Sequence, residues 1–202
     1  MLLLGVTGGI GAGKSVSSRV LSELGVPWLD TDQIAREQSA VGSEGLQEIV
    51  RAFGDVILNP KGELQREVLS RIVFGDPAAR RLLEGILHPR ISRVWRSRIA
   101  EWAGSGVPTA AVIIPLLYEK GYEEDFNRVV CLACTRQTQD LRLRERSWSD
   151  LEIQARRRAQ LPMEEKMIRA NFVIWTEGSL HLHRVQWMRI LTDNPGTICC
   201  PA

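Results

Sequence analysis

The stretch GVTGGIGAGKSVSS, residues 5–18, holds five glycines in fourteen residues, and Lys14 and Ser15 follow directly on the last of them. Within it, Gly8 to Ser15 fits the pattern G-x-x-x-x-G-K-[ST]. Just before it, Leu2–Val6 is a short apolar run that reads as a strand. Just after it, Ser15–Leu24 reads as a helix, with Gly25 as its stop. Strand, glycine-rich turn and helix form the setting in which several backbone N–H groups converge on a polyphosphate. Side chains would block that approach, and glycine permits the φ values such a loop needs. The helix points its positive end at the phosphates. The chemistry then gives Lys14 to the β- and γ-phosphates and the Ser15 hydroxyl to Mg²⁺. The amides of Gly9, Gly11, Ala12, Gly13, Lys14, Ser15 and Val16 make the cradle. A dinucleotide loop, G-x-G-x-x-G, does not fit, because the sixth position counted from Gly9 is Lys14.

Further strands are read at Val26–Leu29, Ala110–Ile114, Arg128–Cys134 and Phe172–Trp175. They are rich in Val, Ile and Leu without polar alternation, as expected of strands covered on both faces. Alternation with helical segments predicts an α/β fold with a doubly wound parallel sheet. Between the second and third strands the chain is helix-like at Gly45–Phe53, Gln65–Val73, Pro77–Leu87 and Pro89–Ala103, with turns at NPKG (59–62) and FGDP (74–77). Thr138–Met167 is a second helical excursion, broken at SWSD (147–150). One domain, 1–192, is expected, with its core in 1–33, 107–137 and 168–192 and insertions at 34–106 and 138–167. The end, 193–202, is expected to be disordered.

The 202 residues carry a net charge of only +2, which makes no general bid for nucleic acid or an anionic membrane. The start lacks the features of a signal peptide, and no apolar run has the length of a membrane helix. Cys131 and Cys134 form a CxxC, but within RVVCLACT they sit on a strand and point to opposite faces, so they read as core cysteines. With Cys199 and Cys200 in the tail, a reduced, cytoplasmic protein is expected. His181 and His183 do not face one another on a helix and make a poor metal pair.

The second strand runs into WLDTD. If the strand continues, Asp30 and Asp32 share a side at its carboxyl end, where ligands of open α/β sheets bind. Alone, Asp32 could equally cap the helix-like QIARE. Beside a phosphate loop the catalytic reading is favoured: a carboxylate that orients an acceptor hydroxyl and takes its proton. No acid stands directly after the apolar residues of TAAVIIPLLYE and no guanine signature is found, which favours a small kinase over a motor ATPase or a GTPase. Between residues 136 and 158, seven arginines (136, 142, 144, 146, 156, 157, 158) face four acids. Most read as a solvated helix face, with one or two available to neutralise a transferring phosphoryl group.

In series, TGGIGAGKS (7–15), LDTDQIAR (29–36), LQREVLSRIVFGDP (64–77), LLEGILHPRI (82–91), PLLYE (115–119) and RERSWSDLEIQARRRAQLP (144–162) resemble the dephospho-coenzyme A kinase family over about residues 2–190. The resemblance implies a three-layer α/β/α P-loop kinase core with a five-stranded parallel sheet. It makes 34–106 a helical acceptor-binding insertion and 138–167 a lid. It implies ATP and Mg²⁺ as cofactors and phosphorylation of the ribose 3′-hydroxyl of dephospho-coenzyme A, with no nucleic-acid or membrane partner. By the same resemblance Lys14, Asp32 and Arg146 are catalytic. Ser15 is the metal ligand, and Asp32, Arg66, His88 and Leu117 touch the acceptor. Glu119 belongs to a matching motif. Trp175 and Thr176 stand where the family has Asp-Asn near the adenine, and Trp175 either stacks on the base or packs. The alternatives are another nucleoside or nucleotide kinase of the P-loop fold, or a nucleotide-binding regulator.

Overall fold

The computed structural model describes residues 1–146 and 148–193. The expected disorder at the chain's end and the pair Cys199–Cys200 concern residues 194–202, which lie outside the described ones. The chain divides into two compact units, Thr31–Glu101 and the remainder.

The larger unit is built on a five-stranded sheet of β1 (Leu2–Gly8), β2 (Trp28–Asp30), β3 (Thr109–Ile113), β4 (Arg128–Ala133) and β5 (Phe172–Trp175), in the order β2-β3-β1-β4-β5. Every pairing is parallel. β1 is central, with Leu2 opposite Thr109 on one side and Leu4 opposite Arg128 on the other. Side chains alternate between faces, as strand geometry requires. Leu4, Val6, Val130 and Leu132 pack with Val20 and Leu21 of α1 (Lys14–Glu23). The same cluster takes in Trp187, Ile190 and Leu191 from the last helix, Leu180–Thr192. On the opposite face the chain packs so closely that a Cβ at Gly5 would lie 2.8 Å from Leu117 and Phe126. Cys131 and Cys134 are free, buried thiols, as their strand setting predicts. Cys134 belongs to the α1-side cluster, and burial raises the Cys131 thiol to about 11.

The Thr31–Glu101 unit contains α2 (Thr31–Glu37), α3 (Glu44–Phe53), α4 (Arg66–Gly75) and most of α5 (Pro77–Gly104). Its core gathers around Ile49, Ile57 and Leu69. Ser43 caps α3 by accepting from the Leu46 N–H at 3.1 Å. Two expectations are corrected here. Pro77–Leu87 and Pro89–Ala103 form one helix, α5, with Pro89 inside it. Pro89 forfeits the bond to the Gly85 carbonyl, but both residues are exposed, so water can serve that carbonyl. The second correction concerns WLDTD. β2 ends at Asp30 and α2 begins at Thr31, so Asp30 and Asp32 do not share a strand side. Asp32 stands in the first turn of α2 instead.

The 136–169 region, in the larger unit, forms α6 (Arg136–Arg144), α7 (Asp150–Arg158) and α8 (Met163–Arg169), followed after β5 by α9 (Leu180–Thr192). The break expected near SWSD has a local cause. Ser149 and Glu152 form a reciprocal capping box that starts α7 afresh.

Candidate active site

β1 delivers residues 8–13 to the carboxyl end of the sheet, and α1 starts at Lys14. Gly13 has φ 90° and is the N-cap of α1, with no side chain on the first amides. In α3, α6, α7 and α9 a Ser or Thr hydroxyl takes that place. No described side chain therefore caps the start of α1, although the Val16 N–H already donates to the Gly13 carbonyl at 3.1 Å. A side chain at Gly13 would suffer twice, from its positive φ and from Thr176 at 3.2 Å. Gly9 is needed for close approach, since a Cβ there would lie 2.7 Å from Gln139 Nε2. Lys14 Nζ donates to the carbonyls of Gly8 (3.1 Å) and Gly9 (2.9 Å), which stations the ammonium at the loop. Ser15 and Val16 are exposed at the start of α1. A hydroxyl in that place is a hard oxygen donor. That fits Mg²⁺, which takes few protein ligands and shares phosphate oxygens.

Three long-range contacts hold this loop. Arg142 Nη1 donates to the Gly11 carbonyl (3.2 Å) and to Thr176 Oγ1 (3.0 Å), and its Nη2 donates to the Thr176 carbonyl (2.6 Å). Gln160 Oε1 accepts from the Ile10 N–H at 3.0 Å. Ser17, one turn into α1, lies 2.8 Å from His183 Nε2, to which the Trp187 indole N–H also donates at 3.2 Å. Burial, and secondarily the charge of Arg142, holds the His183 imidazole below its ordinary pKa. An indole N–H aimed at Nε2 acts in the same direction, because it needs a lone pair there.

On the sheet's other face, Lys166 is fully buried and pairs with Glu119 at 2.8 Å. It also donates to the Pro115 carbonyl at 2.8 Å. Glu119 Oε1 accepts from the Leu161 N–H at 2.7 Å, while Oε2 is buried without a partner. A cavity of about 540 Å³ opens beside the loop, lined among others by Gly9, Ile10, Arg136, Gln139, Arg157 and Gln160. Arg157 also pairs with Asp140 at 2.6 Å.

After β5, Trp175 is 41% exposed, and its backbone N–H and carbonyl are both bonded to Gln186. Its indole N–H donates to Glu177. Hydrogen bonds from the Thr135 hydroxyl, then from Thr138 and the Thr135 amide, lower the Glu177 carboxyl to about 2. Thr176 is buried between Gly13 and Arg142.

The residues predicted for the nucleotide, from Gly9 to Val16, come together on one loop and helix start. Arg146 is exposed just past α6, and the arginines lining the cavity are 136, 157 and 158. The Leu117 side chain is fully buried, so in this conformation it serves packing. Asp32, Arg66 and His88 stand on α2, α4 and α5 of the helical unit. Arg66 Nη2 donates to Ser39 Oγ at 2.9 Å. Burial and the neighbouring Arg36 lower the Arg66 pKa. Sequence reasoning missed Arg142, Gln160 and Lys166. Only Arg142 left a signal: with Gln139 and Leu143 it shares the inward stripe of α6, at the spacing of a buried helix face.

A parallel sheet in this order, with a Gly-rich loop from its central strand entering a helix without a side-chain cap, is the architecture of the P-loop nucleotide-binding proteins. The family model described as Dephospho-CoA kinase matches residues 2–181, and the chain belongs to that family. A dephospho-CoA kinase of Anaeromyxobacter dehalogenans is 40% identical over 197 residues, covering 97% of this chain and 93% of that one. One of Geobacter sulfurreducens is 42% identical over 180 residues, covering 89% and 91%. Among solved structures, that of TT1252 from Thermus thermophilus superposes with a TM-score of 0.82 at 33% identity, covering 96% of this chain and 98% of that one. Membership in an ATP-dependent kinase family makes this chain a phosphotransferase. Among the described residues no helix is long and apolar enough to cross a membrane.

Proposed function

We propose that the chain transfers the γ-phosphoryl group of ATP to the ribose 3′-hydroxyl of dephospho-coenzyme A. Family membership supports the substrates. The phosphate loop, entering a helix without a side-chain cap, is the observation that carries the chemistry. The cradle of Gly9, Gly11, Ala12, Gly13, Lys14, Ser15 and Val16 binds the polyphosphate, and Lys14 follows the charge of the transferring group. Ser15 would hold Mg²⁺, which when bound neutralises the β- and γ-oxygens.

Asp32 orients the acceptor hydroxyl and takes its proton as the oxygen bonds to phosphorus. The bond to the bridging oxygen of ADP breaks in the same step. The transition state is loose, so alignment by Asp32 matters more than early deprotonation. Residues 34–106 act as the acceptor-binding insertion. Arg66, with Arg36 beside it, presents a doubled positive charge suited to a diphosphate. His88 contributes to the same acceptor surface, and Leu117 contributes through its packing. Residues 138–167 act as a lid whose closure brings Arg146 to the phosphoryl group. Free buried thiols at Cys131 and Cys134 suit a cytoplasmic setting.

The test is direct. Protein incubated with Mg·ATP and dephospho-coenzyme A should yield a product with the mass of coenzyme A. Lys14→Ala should lower kcat/KM by about 10²–10³-fold, the usual cost of losing one preorganised charge donor. Absence of that product, or an unimpaired Lys14→Ala enzyme, would overturn the reading.

A further inference from the structure

We propose that Gln160 is a positioning residue for the phosphate loop, and that the buried pair Glu119–Lys166 sets where Gln160 stands. The inference rests on the reading of residues 8–15 as the site of the ATP phosphates. It concerns a single peptide plane, the one joining Gly9 to Ile10. A trans peptide points its C=O and its N–H in opposite directions. On one edge the Gly9 carbonyl accepts from Lys14 Nζ at 2.9 Å. On the other edge the Ile10 N–H donates to Gln160 Oε1 at 3.0 Å. The plane is held from both sides: the carbonyl edge takes Lys14 and also the Ala12 N–H at 3.2 Å, and the other edge, among the described residues, rests on Gln160 alone. Without an acceptor for Ile10, only Lys14 and the Ala12 N–H, both on the carbonyl edge, resist rotation of the plane, and Gly9 adds little steric resistance. Rotation carries the Gly9 carbonyl away from the ammonium, and the station of Lys14 shifts with it.

Gln160 sits between the C-cap of α7, Ala159, and the N-cap of α8, Pro162. Nothing regular fixes a segment that short, yet its next amide is pinned. The Leu161 N–H donates to Glu119 Oε1, which is also the oxygen that meets Lys166 Nζ. Lys166 is fully buried and tied to the Pro115 carbonyl. A buried ion pair adds little net stability over an apolar pair of the same size. Here one carboxylate oxygen is buried without a partner as well. What the pair does provide is a fixed anchor for Leu161, one residue from the side chain that holds the loop.

The test measures nucleotide binding by titration with Mg·ADP and Mg·ATP, which needs no turnover. Gln160→Leu should weaken both by about 3- to 10-fold, the worth of one hydrogen bond. KM for ATP should rise alike, while KM for dephospho-coenzyme A and Tm stay at wild-type values. Glu119→Leu with Lys166→Met removes the anchor and leaves no bare charge. It should weaken nucleotide binding in the same direction, and adding Gln160→Leu should cause no further loss. Wild-type nucleotide affinity in Gln160→Leu, a fall in Tm alone, or additive losses in the triple variant would each overturn the proposal. Failure of the underlying reading looks different: Lys14→Ala would then bind nucleotide as well as the wild type.

Discussion

The nucleotide loop and the helical acceptor unit are supported in opposite ways. Residues 8–15 are gripped from afar, by Arg142, Gln160 and, through Ser17, His183. These partners lie far along the chain, on α6, between α7 and α8, and on α9, and His183 is buried. The groups on the helical unit are held by partners within that unit. Arg66 bonds to Ser39, Arg90 pairs with Glu48 at 2.9 Å, and the core beneath is small. The difference teaches that residues 8–15 depend on partners more than a hundred residues away, while the helical unit depends on its own.

That division can be broken most sharply at Asp32. Asp32→Asn should lower kcat by about 10²–10⁴-fold, the usual span of general-base catalysis. The affinity for Mg·ATP should hold. A parallel loss of ATP affinity, read by titration, would erase the boundary between the two regions.

Arg142 tests the opposite side. Arg142→Ala removes charge-assisted bonds to Gly11 and Thr176 at once. It should cost roughly 1.5–3 kcal/mol in a denaturant melt and raise KM for ATP more than KM for the acceptor. Equal increases in both would mean that the loop is not what Arg142 holds.

The smallest effect is one of pH. His183 has a folded pKa below its unfolded value, so the unfolded chain takes up the proton first. The stability it contributes is fully present above the unfolded value of about 6.5. It is lost as pH falls from there toward the folded pKa. His183→Gln should flatten the dependence of Tm on pH between about 7 and 5. An unchanged slope would show that His183 does not link α1 to that titration.

What could be read from the chain was whatever carries its own spacing. The phosphate loop lies within eight residues, and β1, β4 and β5 are unbroken apolar runs. β2 and α5 were read less well for local reasons. Trp28–Asp30 is so short that helix α2 takes over at Thr31, and Pro89 announces a break that an exposed helix face absorbs. Gln160 and Lys166 left no trace. A glutamine before Leu-Pro and a lysine inside MEEKM look like surface residues until tertiary structure puts Ile10 and Glu119 beside them. Among the seven arginines the charge run hid Arg142, since charge alone does not say which guanidinium turns inward.

The central place of β1 has a consequence in time. Its hydrogen-bonding neighbours, β3 and β4, both begin more than a hundred residues later in the chain. As the chain emerges during synthesis, the middle strand of the sheet is made first and waits more than a hundred residues for its partners. The residues between Thr31 and Glu101 are all made before β3 or β4 can dock on Leu2–Gly8. Pulse-labelled hydrogen exchange during refolding should find amides of α3 and α5 protected ahead of those of β1. The glycine-rich loop that follows β1 would then acquire its shape only after residues far along the chain have been made.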